Sequence, residues 1–84
     1  MENKKKLINQ ILYRSTHRGT KEMDILLGNF VKKYIDTFSF KELNDLNDLI
    51  NCEDSILYNW YFNDVNHELI PLNKIAGLLK SFKL

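Results

Sequence analysis

The sequence has few of the residues that restrain a fold chemically, with one cysteine, one proline and three glycines. The lone cysteine, Cys52, cannot form an internal disulfide or build a thiolate metal site, so we expect a reducing compartment. Long apolar runs are also missing, since the longest span three residues, as at positions 25–27. A helix that crosses a membrane needs about 20 apolar residues, so we expect no membrane insertion.

Motifs of nucleotide binding and catalysis are missing as well. The three glycines lie too far apart for a P-loop or a dinucleotide-binding fingerprint. No acid or histidine elsewhere completes a metal-binding pattern at helical spacing with Glu22 and Asp24, and His17 and His67 both fall in predicted turns. No nucleophile, base and orienting group can be assembled from the other residues. The sequence therefore predicts neither a metal site nor an enzyme.

Length and composition are those of one small folded domain over residues 1–84. Apolar residues make up 44% and charged residues 27%, near the average for globular proteins. The lysines at positions 4–6 favour a frayed segment over residues 1–5. No apolar stretch of signal-peptide length follows them. Together with a composition rich in lysine and asparagine, this leads us to expect a protein of the bacterial cytoplasm.

Charges are segregated along the chain although the net charge is only +1. Residues 1–33 carry +5, residues 34–68 carry −7 and residues 69–84 carry +3. A strongly acidic middle segment repels phosphates, so the pattern favours a protein partner and predicts no nucleic-acid binding.

The apolar residues recur with a helical period almost throughout, which predicts an all-α bundle of five short helices. The first two helices are expected over residues 4–16 and 21–38. Gly19 can close the first helix in the left-handed conformation, and Thr20 is a suitable N-cap for the second.

The starts of the other three helices are predicted from their capping residues. Ser39 and Glu42 have the spacing of a capping box for the third helix, which should end at residues 51–52. The fourth and fifth helices are expected to begin at Asp54 or Ser55, which would act as the cap, and at Pro71, which fits a first helical turn.

Two features of the predicted helices have more than one explanation. Gly28 costs about 1 kcal/mol against alanine in a helix interior, which close packing of another helix would offset. Four aromatic residues fall within five positions of the short fourth helix: Tyr58, Trp60, Tyr61 and Phe62. Because such a helix buries only one face, they are either interface anchors or a core with a partly covered rim.

Residues 17–24 place a cation, a turn and an acid at the junction of the first two helices. Arg18 and Glu22 could simply pair across one helical turn, for about 0.3–0.5 kcal/mol. Glu22 and Asp24 point in different directions at a spacing of two and do not share a site, and the positive helix start explains both acids.

Residues 13–24, Tyr-Arg-Ser-Thr-His-Arg-Gly-Thr-Lys-Glu-Met-Asp, resemble the signature of the SdhE-like flavinylation and assembly factors of succinate dehydrogenase. The family pattern is Arg-Arg-Gly-Met-x-Glu-x-Asp at the start of the second helix. The matching positions are Arg18, Gly19, Glu22 and Asp24, while His17 and Thr20 replace the first Arg and the Met. Residues 49–60 resemble the family's Leu-Leu, acidic turn and aromatic-x-Trp segment, which ends here at Trp60 without the usual Asp-Pro.

The resemblance implies a small helical bundle that is not itself an enzyme, and we expect the chain to be a monomer. Such factors bind the flavoprotein subunit of succinate dehydrogenase, and in some bacteria that of fumarate reductase, and promote covalent attachment of FAD to a histidine of that subunit. The FAD belongs to the partner, so no stably bound cofactor is implied. The implied partner-binding residues are His17, Arg18, Gly19, Glu22, Asp24 and Trp60.

The residues themselves offer a possible role for most of this set. Gly19 would let the partner's backbone approach, Arg18 and Glu22 would contact the partner instead of each other, and Trp60 would brace the fold or form a second contact.

Other function classes stay open at the level of sequence. A regulatory interaction module, for example antitoxin-like, could act through the acidic face of residues 34–68. A nucleic-acid binder using the basic first helix is less favoured, since no helix-turn-helix pattern is present.

Overall fold

A computed structural model describes the backbone of residues 2–83 and the side chains of residues 4–83. These residues form five α-helices: α1 (Glu2–Thr16), α2 (Lys21–Tyr34), α3 (Phe40–Ile50), α4 (Asp54–Phe62) and α5 (Lys74–Ser81). No strand occurs between residues 2 and 83, and the prediction of an all-α bundle of five helices is confirmed. None of the helices in this range is long and apolar enough to cross a membrane.

The first two helices differ from their predicted bounds at opposite ends. α1 begins at Glu2, and the fraying of residues 1–5 stays a prediction, with Met1 outside the described residues. α2 starts as predicted, since the Thr20 hydroxyl accepts from the Met23 amide at 3.3 Å. Its predicted end at Phe38 is wrong, because a 3-10 turn (Ile35–Thr37) follows Tyr34 and Phe38 is extended. Ile35 and Phe38 are both buried although α2 has already ended, so the apolar period does not show where the α-helix gives way to the 3-10 turn.

The capping box that begins α3 is confirmed. The Ser39 hydroxyl accepts from the Glu42 amide at 3.2 Å, and the Glu42 carboxylate accepts from the Ser39 amide at 2.8 Å. The hydrogen bond from the Ser39 amide lowers the pKa of Glu42 below its ordinary value. The Lys74 ammonium, whose Nζ lies 3.2 Å from Glu42 Oε2, lowers this pKa further but less strongly. α3 ends at Ile50, with Asn51 as its C-cap.

The predicted cap of α4 and the predicted start of α5 are wrong. The N-cap of α4 is Glu53, which makes no side-chain capping bond, and Asp54 is already the first helical residue. α5 begins after Asn73, whose side chain accepts from the Ala76 amide at 2.8 Å, so Pro71 lies outside the helix. Asparagine satisfies a free amide of the first turn, whereas proline only supplies a compatible φ angle.

The helices pack around one apolar core, with α1 against α2 and α3, and α5 against α3. Phe30 of α2 is fully buried and contacts the rings of Tyr34 and Phe82, at centroid distances of 5.1 and 5.3 Å. The radius of gyration is 12.0 Å, as expected for about 84 residues folded into one body.

Gly28 is buried where α1 crosses α2, and we expect Gly28→Ala to stabilise the protein. A Cβ at this position would lie 3.7 Å from Thr16 Cγ2, which is ordinary van der Waals contact. Alanine is favoured over glycine in a helix interior by about 1 kcal/mol, which for a domain of this size raises Tm by roughly 4–8 °C. Thermal and urea denaturation measure both quantities.

The matched control is Gly77→Ala in α5, where a Cβ meets nothing within 4 Å. It should give a similar gain from helix propensity alone. A loss at Gly28 beside a gain at Gly77 would show that Thr16 leaves no room for the methyl group.

Candidate functional site

The Arg18 guanidinium lies between the α1–α2 connection (residues 17–20) and the start of α4. Its Nε and Nη2 atoms lie 2.7 and 2.6 Å from Asp54 Oδ1. Nη1 donates to the Ile50 carbonyl at 2.7 Å and Nη2 to the Cys52 carbonyl at 3.1 Å. Only 9% of the Arg18 side chain is exposed. The local pair of Arg18 with Glu22, which the spacing of four allows, is therefore wrong.

Gly19 binds the second oxygen of the same carboxylate. Its amide donates to Asp54 Oδ2 at 2.5 Å, and a Cβ on Gly19 would lie only 3.0 Å from that oxygen. No glycine among the described residues has a positive φ angle, so the predicted left-handed closure of α1 is wrong. Arg18 instead donates to the Arg14 carbonyl at 3.3 Å and so satisfies one of the free carbonyls at the end of α1. We call Arg18, Gly19 and Asp54 the clasp.

Asp24 also faces inward at this junction. Its carboxylate accepts from the backbone amide of Arg18 at 2.6 Å, and its side chain is partly buried in the first turn of α2. Three of the predicted site residues, Arg18, Gly19 and Asp24, are thus hydrogen-bonded within the chain.

His17 and Glu22 are the predicted site residues whose side chains are exposed. The His17 ring stacks on Tyr13 with a centroid distance of 3.9 Å, and its Nδ1 lies 2.8 Å from the Tyr13 carbonyl oxygen. The Glu22 side chain is exposed, and no hydrogen bond or ion pair joins it to another described side chain. Its carboxylate is the acid of the signature that is open to an external group.

Glu22 stands at an open cleft between the start of α2 and α4. The cleft has a volume of about 410 Å³ and is lined by Thr20, Glu22, Asp54, Ser55, Tyr58 and Asn59. Only Glu22 among these lining residues was predicted as a site residue, and the structure adds Ser55, Tyr58 and Asn59 of α4, of which Tyr58 belongs to the aromatic cluster in the sequence. The sequence did indicate that these three residues share a face of α4, because Tyr58 and Asn59 follow Ser55 by three and four positions.

Trp60 does not join this surface. Its side chain is 9% exposed within the core, and the Lys80 ammonium lies 5.0 Å from its ring centroid. Within the aromatic cluster, Trp60 belongs to the core. Tyr58 and Phe62 are instead 36% and 39% exposed, and their rings pack on each other with a centroid distance of 4.7 Å. The burial of Trp60 fits the first of its two expected roles, bracing the fold, while a contact of Trp60 with the partner stays a prediction.

Cys52 is half-buried beside the clasp and is a free thiol. Burial raises its pKa above the ordinary value, while the nearby charge of Arg18 acts less strongly in the opposite direction. Its Sγ lies 3.4 Å from the Leu69 carbonyl oxygen. The thiol is therefore protonated at neutral pH. Across the described side chains, no three metal-ligating groups come together.

Comparisons with known proteins agree on one family. A family model described as "flavinator of succinate dehydrogenase" matches residues 9–83. An FAD assembly factor SdhE from Acetobacter pasteurianus is 40% identical over 71 residues, covering 84% of this chain and 62% of the relative. No solved structure matches the chain.

Two further relatives are named as mitochondrial succinate dehydrogenase assembly factor 2. The protein of Arabidopsis thaliana is 37% identical over 59 residues, and that of Komagataella phaffii is 38% identical over 63 residues. These matches cover 70% and 75% of this chain but only 31% and 32% of the relatives, so the chain spans about a third of their length.

Proposed function

The chain belongs to the family of flavinators of succinate dehydrogenase, and on that basis we propose that it binds the flavoprotein subunit of succinate dehydrogenase and promotes covalent attachment of FAD there. The observation that supports this most directly is the division of the signature between two sides of one turn. Arg18 and Asp24 are bonded inside the chain, whereas His17 and Glu22 face solvent. The turn therefore has a rigid inner side and a free outer side.

The outer side is suited to bind a segment of another protein. The Glu22 carboxylate can accept hydrogen bonds from the partner, and the exposed Tyr58 ring on the other wall of the cleft offers apolar contact. Because the clasp already fixes the turn, little conformational entropy is lost when the partner binds.

In this proposal the chain acts as a binding factor and not as a catalyst. The flavoprotein supplies both the FAD and the histidine that attacks it, and the factor holds that subunit in a competent conformation. The chain's own contribution is a turn held in place by the clasp, with the exposed Glu22 side chain beside it. The monomeric state stays a prediction. A bacterial cytoplasmic location stays one as well, since one relative comes from a bacterium and another is named as a mitochondrial protein.

Co-expression with the host's succinate dehydrogenase flavoprotein subunit tests the proposal, with the fumarate reductase flavoprotein in parallel. Covalent flavin is measured by in-gel fluorescence after denaturation. We expect it to rise with the wild-type chain and to fall at least about tenfold with Glu22→Ala, the loss expected when a central interface contact of about 1.4 kcal/mol is removed.

The matched control is Glu68→Ala, which removes an exposed carboxylate from the α4–α5 connection and should leave the flavin signal unchanged. Covalent flavin that does not depend on the chain, with no co-purification of the two proteins, would refute the proposal. A regulatory module acting through the acidic face of residues 34–68 would then be the better interpretation.

A further inference from the structure

Asp54 uses its carboxylate in a way that its position on α4 does not explain. An aspartate at the start of a helix ordinarily caps a free amide of that helix or complements the positive helix end. Here no side-chain capping bond is formed at α4. Both carboxylate oxygens instead contact the α1–α2 connection, more than thirty residues away in the sequence.

The same carboxylate accounts for two residues of the signature. Oδ1 binds the Arg18 guanidinium and Oδ2 binds the Gly19 amide. The backbone of Gly19 does not require glycine, since its φ angle is not positive. The space favours it, because a Cβ would lie 3.0 Å from Oδ2 and the carboxylate would have to move by a few tenths of an ångström.

We propose that Asp54 is a positioning residue for partner binding and that position 19 is glycine in order to admit its carboxylate. The inference rests on the proposed function, because it concerns how the partner-binding turn is held. Asp54 sets the separation of the α1–α2 connection from α4, and Glu22 and Tyr58 stand on the two sides of the cleft between them. A shift of the carboxylate moves the exposed groups of the turn relative to Tyr58.

A double-mutant cycle of Gly19→Ala and Asp54→Ala tests this inference. The measurement is the Kd for the flavoprotein subunit of succinate dehydrogenase, purified with non-covalent FAD from cells that lack the factor. Gly19→Ala should weaken binding about fivefold in the wild-type background and less than about twofold once Asp54 is alanine, because coupled residues are not additive. Asp54→Ser repeats the cycle with a short polar residue if Asp54→Ala does not fold.

A second readout uses the chain alone. Amide hydrogen exchange at Gly19 should become at least about tenfold faster in Asp54→Ala, while the amide of Leu46 in α3 keeps its rate. Unchanged exchange at Gly19 would overturn the inference.

The binding outcomes separate the inference from the proposed function. Equal losses of affinity from Gly19→Ala in both backgrounds would mean that Gly19 touches the partner itself. That result would overturn the positioning role of Asp54 and leave the proposed function standing. No binding by the wild-type chain would overturn the proposed function and this inference together.

Discussion

Arg18→Ala is expected to lower the free energy of unfolding by about 3 kcal/mol, the scale on which a buried ion pair destabilises a protein when one partner is removed. The substitution leaves the Asp54 carboxylate without its cation and the carbonyls of Ile50 and Cys52 without a donor. A chain of 84 residues has a total stability of only about 4–13 kcal/mol, so the loss is a large share of it. The corresponding fall in Tm is roughly 12–24 °C.

Urea denaturation measures this loss, and Arg14→Ala is its matched control. Arg14 is also an arginine near the end of α1, but it is exposed and donates only to the side chains of Asn47 and Asn51, at 3.2 and 2.8 Å. Its removal should cost less than about 1 kcal/mol, because its contacts are exposed to solvent. Similar small losses for both variants would contradict the assignment of Arg18 as the residue that joins the α1–α2 connection to the end of α3 and the start of α4.

Arg18→Lys separates charge from geometry at the same position. A lysine carries the positive charge as a single ammonium group, which cannot donate to the Asp54 carboxylate and to two separate carbonyls in the planar arrangement of a guanidinium. We therefore expect Arg18→Lys to recover less than half of the stability lost in Arg18→Ala. A full recovery would mean that charge alone is needed.

Local features of the fold could be predicted from the sequence because their partners are a few residues apart. The Ser39 and Glu42 capping box and the Thr20 N-cap each need only a side chain and an amide three positions away, and both are confirmed. The apolar period likewise predicts all five helices, since it reports which face is buried without any knowledge of what covers it.

The interior of the site could not be predicted, because the partners of Arg18 are far away in the sequence. Spacing favours Glu22, four residues on, whereas the structure pairs Arg18 with Asp54, 36 residues on. A guanidinium near two helix ends gains several hydrogen bonds from that arrangement, against one exposed contact with Glu22. For the same reason Asp54 is predicted as a helix cap and serves instead as the carboxylate of the clasp.

The signature therefore contains residues that are bonded within the chain and residues that face solvent, and a sequence pattern does not distinguish the two. Asp24 matches the family pattern as well as Glu22 does, yet Asp24 accepts from the Arg18 amide and Glu22 faces solvent. Whether each contacts the partner stays a prediction. The structure supplies the reason to test Glu22 first, because its substitution breaks no bond within the described part of the chain.

Gly19→Arg is expected to abolish covalent flavin attachment while the chain stays folded. The φ angle of Gly19 is accessible to any residue, and the first atom of the new side chain lies 3.0 Å from Asp54 Oδ2 at the end of a movable side chain. The cost in stability should stay near 1 kcal/mol, far below that of Arg18→Ala. A long cationic side chain at the exposed centre of the turn, however, blocks approach to Glu22 and shifts the carboxylate that fixes the turn without breaking its pair with Arg18.

In-gel flavin fluorescence after co-expression measures the first effect, and circular dichroism with thermal denaturation measures the second. Gly77→Arg is the control for added bulk and charge, because Gly77 lies in the exposed face of α5 with open space around it. That variant should keep full flavin attachment, since a side chain added away from the α1–α2 connection leaves the clasp and Glu22 untouched. Flavin attachment retained in Gly19→Arg would mean that neither the space at Gly19 nor the position of Asp54 limits partner binding, and the contact surface would then have to lie away from the signature.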